Sequence, residues 1–297
     1  MKRVLITGAN SYIGMSFEKW MSQWKTEYKV DTLDMRGEDW KKYDFSTYDA
    51  VFHVAGIAHA DVGKVSEEQK KLYYTVNADL AEKTAVKAKA AGVGQFIYMS
   101  SIIVYGDNQS ARHMRVITKD TPVSPANFYG DSKVQAEKKL KKLESPEFKI
   151  VILRPPMIYG KGSKGNYPLL SKLAQKLPCF PVVNNKRSML HVDNLCEFVR
   201  LMIDNEESGT FMPQNPEYVS TSHMVALIAK AHGRKMHSIK GLGWLVKLAS
   251  LIPGKIGRLV NKAFGNLVYQ QELSQYSKGN YQIRGLEESV LLTEKEN

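Results

Sequence analysis

Tyr129 and Lys133 stand four residues apart at the head of a helical stretch, 132–143. Positions i and i+4 share one helix face, so an ammonium can lie beside a phenol. A neighbouring cation favours phenolate and draws a tyrosine pKa from about 10 towards neutrality. Tyr129 then suits a general base for an alcohol and, in reverse, an acid for a carbonyl. Such pairs are common on helix surfaces; what gives this one weight is Ser100-Ser101-Ile102-Ile103-Val104-Tyr105-Gly106. That run closes a predicted strand, and ligands of parallel sheets bind beyond strand C-termini, where a serine hydroxyl reaches the reacting oxygen. A second signal is Thr7-Gly8-Ala9-Asn10-Ser11-Tyr12-Ile13-Gly14, between the first predicted strand and helix. Its glycines allow a tight bend, and the helix N-terminus offers N–H groups to a pyrophosphate. Asp34 closes the second strand about 20 residues on, where a carboxylate accepts from ribose hydroxyls and disfavours a 2′-phosphate. Arg36 works in the opposite sense.

The elements that must position these residues follow from the apolar runs. Strands are predicted around Val4-Leu5-Ile6 and over 28–33, 50–55, 95–100 and 149–153, and helices over 14–24, 67–91 and 132–143. Alternation with near-continuous apolar strands indicates a parallel sheet covered on both faces. After Arg154-Pro155-Pro156 the periodicity turns irregular around Gly160, Gly162 and Gly165. The boundary is placed there: residues 1–155 bind the dinucleotide, and 156–297 mainly bind substrate, with a segment near 185–205 returning to the first part.

The 297 residues suit one large domain or two small ones. With 43% hydrophobic and 24% charged residues, disorder, collagen and a pure coiled coil are excluded. A net charge of +12 favours anionic partners. The two cysteines, Cys179 and Cys196, form no CxxC, so neither a disulfide framework nor a zinc site is expected, which suits a reducing, cytoplasmic compartment. The first residues lack the apolar run of a signal peptide, and no stretch of about 18 apolar residues could span a membrane. No nucleic-acid recognition motif accompanies the basic charge, so no nucleic acid is expected as partner.

Taken together, these motifs resemble the extended short-chain dehydrogenase/reductases, in their nucleotide-sugar epimerase/dehydratase branch. The resemblance implies an α/β fold: a Rossmann-type doubly wound parallel sheet with a smaller C-terminal α/β substrate domain. It implies NAD as cofactor, with NADP the alternative. The family's TGxxGxxG corresponds to Thr7, Gly8, Asn10, Ser11, Tyr12, Ile13 and Gly14, with Ser11 in place of a central glycine. Asp34 matches its ribose carboxylate, Asp44-Phe45 its acidic-apolar pair beside adenine, and Val54-Ala55-Gly56 after His53 its cofactor-lining HxAA. Asn77 resembles an asparagine bracing the active-site strand, and Pro155, after Arg154, lies in the segment placing nicotinamide and substrate. Ser101, Tyr129 and Lys133 match the catalytic set. Asn166 and Arg187 match residues that hold the substrate diphosphate, while Met157 replaces a further asparagine common in epimerases. His53, His59, His191 and Asp193 are read as structural.

The resemblance also excludes. Its 4,6-dehydratases carry Asp-Glu after the catalytic hydroxyl, whereas Ile102 and Ile103 stand here and cannot transfer protons. What remains is 4-epimerisation of a UDP-hexose or UDP-N-acetylhexosamine through a transient 4-keto sugar, or reduction of a 4-keto deoxysugar nucleotide. A non-catalytic dinucleotide sensor is a third reading, opposed by the intact Ser101, Tyr129 and Lys133. The family implies a homodimer and a place in polysaccharide biosynthesis. Separately, no acidic residue occurs between Glu217 and Glu272, while eight lysines and arginines interleave with apolar residues. Residues 235–265 are therefore expected either to fold one apolar face inward or to touch an acidic membrane peripherally from the cytoplasmic side.

Overall fold

The structure, a computed structural model, describes residues 1–58, 65–106 and 110–295. Its centre is β1 (Lys2–Thr7), where Val4, Leu5 and Ile6 are fully buried. The run is continuous rather than alternating because helices cover both faces. Five more strands complete a parallel sheet: β2 (Tyr28–Leu33), β3 (Ala50–His53), β4 (Gln95–Met99), β5 (Lys149–Leu153) and β6 (Gly209–Phe211), in the order β6-β5-β4-β3-β1-β2. β2 and β3 flank β1 on opposite sides, with Val4 level with Val30 and Ala50. The winding reverses there, which opens a crevice beyond the strand C-termini.

The helices are α1 (Tyr12–Met21), α2 (Glu67–Tyr74), α3 (Leu80–Ala90), α4 (Phe128–Lys141), α5 (Tyr167–Lys176) and α6 (Val192–Asp204), followed by α7 (Thr221–Ala231), α8 (Gly243–Ala249), α9 (Lys255–Phe264) and α10 (Leu286–Glu294). On one face of the sheet, Phe17 and Met21 of α1 and Leu195, Phe198 and Val199 of α6 pack on Val4, Ile6 and Phe52. Trp20 ties the two helices by donating Nε1–H to Glu197 at 3.0 Å. The other face packs α3 and α4 through Ala81, Ala85, Ala88, Ala136 and Leu140 onto Leu5, Val51 and Phe96. The alanines let the helices approach closely. Three short parallel strand pairs, 157–159 with 189–191, 179–181 with 237–239, and 114–117 with 266–269, carry the remainder of the chain. A second core of Tyr159, Leu170, Val225, Ile228 and Val290 lies between α5, α7 and α10.

Two elements differ from the sequence expectation in ways that bear on function. The helix expected over 67–91 is interrupted by a π-helical turn at Thr75–Asp79. That turn aims Asn77 inward, the usual setting of such a bulge beside a site. α4 starts earlier than residue 132, because the Asn127 side chain caps it by accepting from Gly130 N–H at 2.9 Å. Tyr129 therefore rides its first turn.

Candidate functional site

The glycine-bearing turn joins β1 to α1 over the point where the sheet reverses. Gly8 has φ +126°, and a Cβ there would stand 2.7 Å from the Ala55 nitrogen. No side chain fits, so the turn lies directly on the end of β3. Gly8 and Ala9 donate their N–H groups to Leu33 O at 2.9 and 3.1 Å, fastening the turn to β2. Asn10 adopts the left-handed conformation at φ 63°, which asparagine tolerates better than most residues. Ser11 is the N-cap of α1, its Oγ accepting from Gly14 N–H at 3.1 Å. That explains its presence in place of a glycine. The amides of Tyr12 and Ile13 in the first turn have no intrahelical acceptor and are the ones left for an anion.

Thr7 is buried, and its Oγ1 pairs with His53 Nδ1 at 2.8 Å. His53 stacks on Phe96 and Tyr98, and burial pushes its pKa down to about 3, so the ring is neutral. His59 lies outside the described residues. Asp34 is partly exposed just after β2; the Arg36 guanidinium holds its carboxyl at a pKa of about 2. The two therefore form an ion pair with each other at this strand end. Asp44 is also exposed, accepting from Ser46 N–H at 2.9 Å, but Phe45 is core, packed under the Lys87 ammonium. Asn77 anchors the segment after β3: it accepts from Ile57 N–H at 2.8 Å and donates to Ile57 O and Ser132 Oγ. A Cβ on Gly56 would stand 3.0 Å from Asn77 Oδ1 and 3.3 Å from Lys133 Nζ, so the glycine lets the chain pass close to both side chains.

Ser101, Tyr129 and Lys133 meet at the C-terminal end of β4. Ser101 caps the 3₁₀ turn Ile102–Tyr105, its Oγ accepting from Ile103 N–H at 3.3 Å, and its hydroxyl stands near enough to the Tyr129 phenol to favour the ionised form. The Tyr129 ring is held edge-on by Tyr73, centroids 6.1 Å apart. Burial raises the Tyr129 pKa to about 12, with the Ser101 contact pulling it back only in part. The ammonium of Lys133 lies over the Tyr98 ring and donates to Met99 O at 2.8 Å. Burial lowers its pKa to about 8, opposed by Glu137. In the bare protein burial outweighs the Ser101 contact at the phenol, and Lys133 is not among the groups that act on it.

Sequence reasoning missed the buried carboxylate behind Lys133. Glu137, one helical turn further on, is buried and accepts from Ser100 Oγ at 2.5 Å and from Arg154 Nε and Nη2 at 3.0 and 2.5 Å. Arg154 Nη1 also donates to Tyr105 OH at 2.7 Å. Arg154 is therefore a buried structural cation behind the site, while Pro155 accepts from Ile102 N–H at 2.9 Å and fixes the serine-bearing turn. The available signal was the spacing: Tyr129, Lys133 and Glu137 fall at i, i+4 and i+8 on one face.

In the second half, Asn166 is half-buried at the start of α5 and does not cap it with its side chain. Arg187 is buried, packed with Met157, Leu170 and Met224 around a gap with no room for a water molecule. Its Nη1 donates to Lys262 O at 3.0 Å and Ala263 O at 3.2 Å, among the last carbonyls of α9. His191 caps α6, accepting from Asp193 N–H. Among the described residues no cluster could hold a metal ion, and no helix is long and apolar enough to cross a membrane.

A family model described as "NAD dependent epimerase/dehydratase family" matches residues 4–212. The chain is 29% identical over 288 residues to a UDP-glucose 4-epimerase of Vibrio cholerae, covering 90% of this chain and 86% of the relative. It is 29% identical over 224 residues to N-acetyl-alpha-D-glucosaminyl-diphospho-ditrans,octacis-undecaprenol 4-epimerase of Escherichia coli O157:H7, covering 69% and 64%. Among solved structures, UDP-glucuronic acid 4-epimerase from Bacillus cereus in complex with NAD superposes with a TM-score of 0.69 at 17% identity, over 98% of this chain and 95% of that one. A dTDP-4-dehydrorhamnose reductase from Bacillus anthracis with NADP gives 0.69 at 20% identity, over 99% and 98%. At such identities the likeness to solved structures speaks to the fold.

Proposed function

The chain belongs to the NAD dependent epimerase/dehydratase family and is an NAD(P)-dependent sugar-nucleotide epimerase or oxidoreductase; from that premise we propose that it is a 4-epimerase of a nucleotide-diphosphate sugar, a UDP-hexose or UDP-N-acetylhexosamine. The observation that carries the reading is the Ser101–Tyr129 hydroxyl pair beside Lys133, with only Ile102 and Ile103 at the neighbouring positions. Such a site can move one proton at one sugar oxygen and has no second acid or base for elimination.

The cradle fits a dinucleotide: Gly8 lets the turn lie against the end of β3, and the first-turn amides of α1 beside it have no intrahelical acceptor. Thr7, Gly8, Asn10, Ser11, Tyr12, Ile13 and Gly14 would hold the pyrophosphate, Asp34 and Asp44 the adenosine end, and Val54, Ala55, Gly56, Asn77, Lys133 and Pro155 the nicotinamide end. Phe45 supports this wall from within. When bound, NAD supplies the hydride acceptor for C4 and a positive ring near the phenol. Tyr129 takes the O4 proton through or beside Ser101, whose hydroxyl can donate and accept at once. Lys133, still largely protonated at pH 7, adds positive charge from behind. Asn166 and Arg187 would grip the diphosphate, Arg187 by its planar fork. The keto-sugar then turns over within the crevice and takes hydrogen on its other face, with Tyr129 returning the proton.

The same reading makes the enzyme a cytoplasmic homodimer of polysaccharide biosynthesis, with residues 235–265 in peripheral contact with an acidic membrane. Incubation with UDP-hexoses and catalytic NAD⁺ tests it. A C4-inverted product without net change in nicotinamide absorbance supports the epimerase, whereas stoichiometric consumption of NAD(P)H with a keto-sugar makes the enzyme a 4-ketoreductase.

A further inference from the structure

Helices α8 and α9 form a hairpin around Pro253-Gly254. Its inner end is held by polar contacts. Asn261 donates to Ser250 O and accepts from Ala111 N–H, both at 3.0 Å; Thr221 Oγ1 donates to Ala263 O at 2.6 Å. Arg187 holds the last carbonyls of α9. At Gly257 a Cβ would stand 2.1 Å from Ile252 O, so α9 packs directly against the turn that precedes it. The outer face is apolar and open: Trp244, Leu248, Leu251, Ile256 and Leu259 are 54–60% exposed. Spacings of four and three residues put Trp244 with Leu248 on one side of α8 and Ile256 with Leu259 on one side of α9, with Leu251 in the turn between. An apolar face of this kind on a protein surface marks an interaction site.

Charge selects the occupant. Lys240, Lys247, Arg258 and Lys262 are exposed and form no ion pair among the described residues. No acidic residue lies between Glu217 and Glu272 to offset them. A second copy related by two-fold symmetry would set this basic surface against itself. An anionic bilayer accepts the leucines and tryptophan among its acyl chains and the cations among its headgroups.

We propose that the α8–α9 hairpin is an interfacial anchor for anionic lipid, fastened to the body of the protein by Arg187 at the end of α9.

The test is sedimentation of the full chain with vesicles of phosphatidylcholine alone or mixed with phosphatidylglycerol, at low and high salt. The protein is expected to pellet with the anionic vesicles at low salt and to remain in the supernatant otherwise. Lys247→Glu/Arg258→Glu should lower partitioning by about 25-fold or more, since each cation near such a surface contributes about fivefold. Leu248→Asn/Leu259→Asn should do the same through lost acyl contact, while both variants melt as the parent does and keep its turnover of soluble UDP-sugar. Recovery of the parent in the supernatant with both vesicle types overturns the proposal. So does a leucine variant that turns a dimer into monomers without changing vesicle binding, because a second copy then covers the face. If no protein turns over sugar yet binding follows these variants, the anchor stands and the epimerase reading falls.

Discussion

Glu137→Gln strikes the ground beneath the catalytic residues. Glu137 is 3% exposed and Arg154 7%, and their two-pronged contact is joined by Ser100 on the same carboxylate. The amide would keep the shape of the carboxylate but leave the guanidinium as an uncompensated buried cation. Breaking a buried pair from one side costs about 3–5 kcal/mol. Against a total of about 5–15 kcal/mol that is a large share, and for a chain of this size it lowers the melting temperature by roughly 10 °C. The loss also reaches the site, because Glu137 is the group that raises the Lys133 pKa against burial. In the variant that pKa falls below about 8, so Lys133 loses charge at lower pH. The assay is thermal melting of the parent, Glu137→Gln and Glu137→Leu/Arg154→Met. The double variant should recover most of the loss, because it removes both charges. A Glu137→Gln protein melting within about 2 °C of the parent would show that the pair carries no such weight.

Other substitutions separate chemistry from scaffold. Tyr129→Phe keeps the ring against Tyr73 and should lower turnover by about 10²–10⁴-fold with little change in melting; unchanged turnover would remove the phenol from the mechanism. Gly8→Ala pushes a methyl into Ala55 at a φ that side chains rarely adopt and should abolish dinucleotide binding, read by fluorescence titration. Lys133 gives a pH signature. Its folded pKa of about 8 lies below the ordinary value of 10.5. Stability is therefore highest above the unfolded pKa and is lost as pH falls to about 8, where the folded state must carry a buried ammonium. The stability difference between parent and Lys133→Met should shift by about 3 kcal/mol in the parent's favour from about pH 8 to about pH 10.5, measured by denaturant titration across that range.

Much of the first half was legible because its signals are local. The apolar runs of β1, β3, β4 and β5 have little polar interruption, and glycines mark the turn beside Asp34. The order of Ser101, Tyr129 and Lys133 then points to the strand end that matters. What escaped was set by long-range packing. The break at Thr75–Asp79 depends on Asn77 reaching Ile57 and Ser132, which no periodicity reveals. The role of Arg154 depends on a glutamate 17 residues earlier in sequence. Phe45 matches an adenine wall by motif, although the core claims its ring. Lys133 shares a helix face with Tyr129, yet the Met99 carbonyl and Tyr98 ring attract its ammonium. Arg187 could be picked out by its surrounding motif, but its grip on the end of α9 needed the fold.

In the proposed mechanism the Tyr129 phenol and Ser101 hydroxyl serve a reversible exchange of hydrogen at sugar C4. A UDP-hexose deuterated at C4, followed by NMR, examines that exchange at the reacting atom. The expected product is inverted at C4 and retains the deuterium there, with no solvent hydrogen at that carbon and no such product from Tyr129→Phe. Inversion with the label lost to solvent, or inversion undiminished in Tyr129→Phe, would overturn the mechanism.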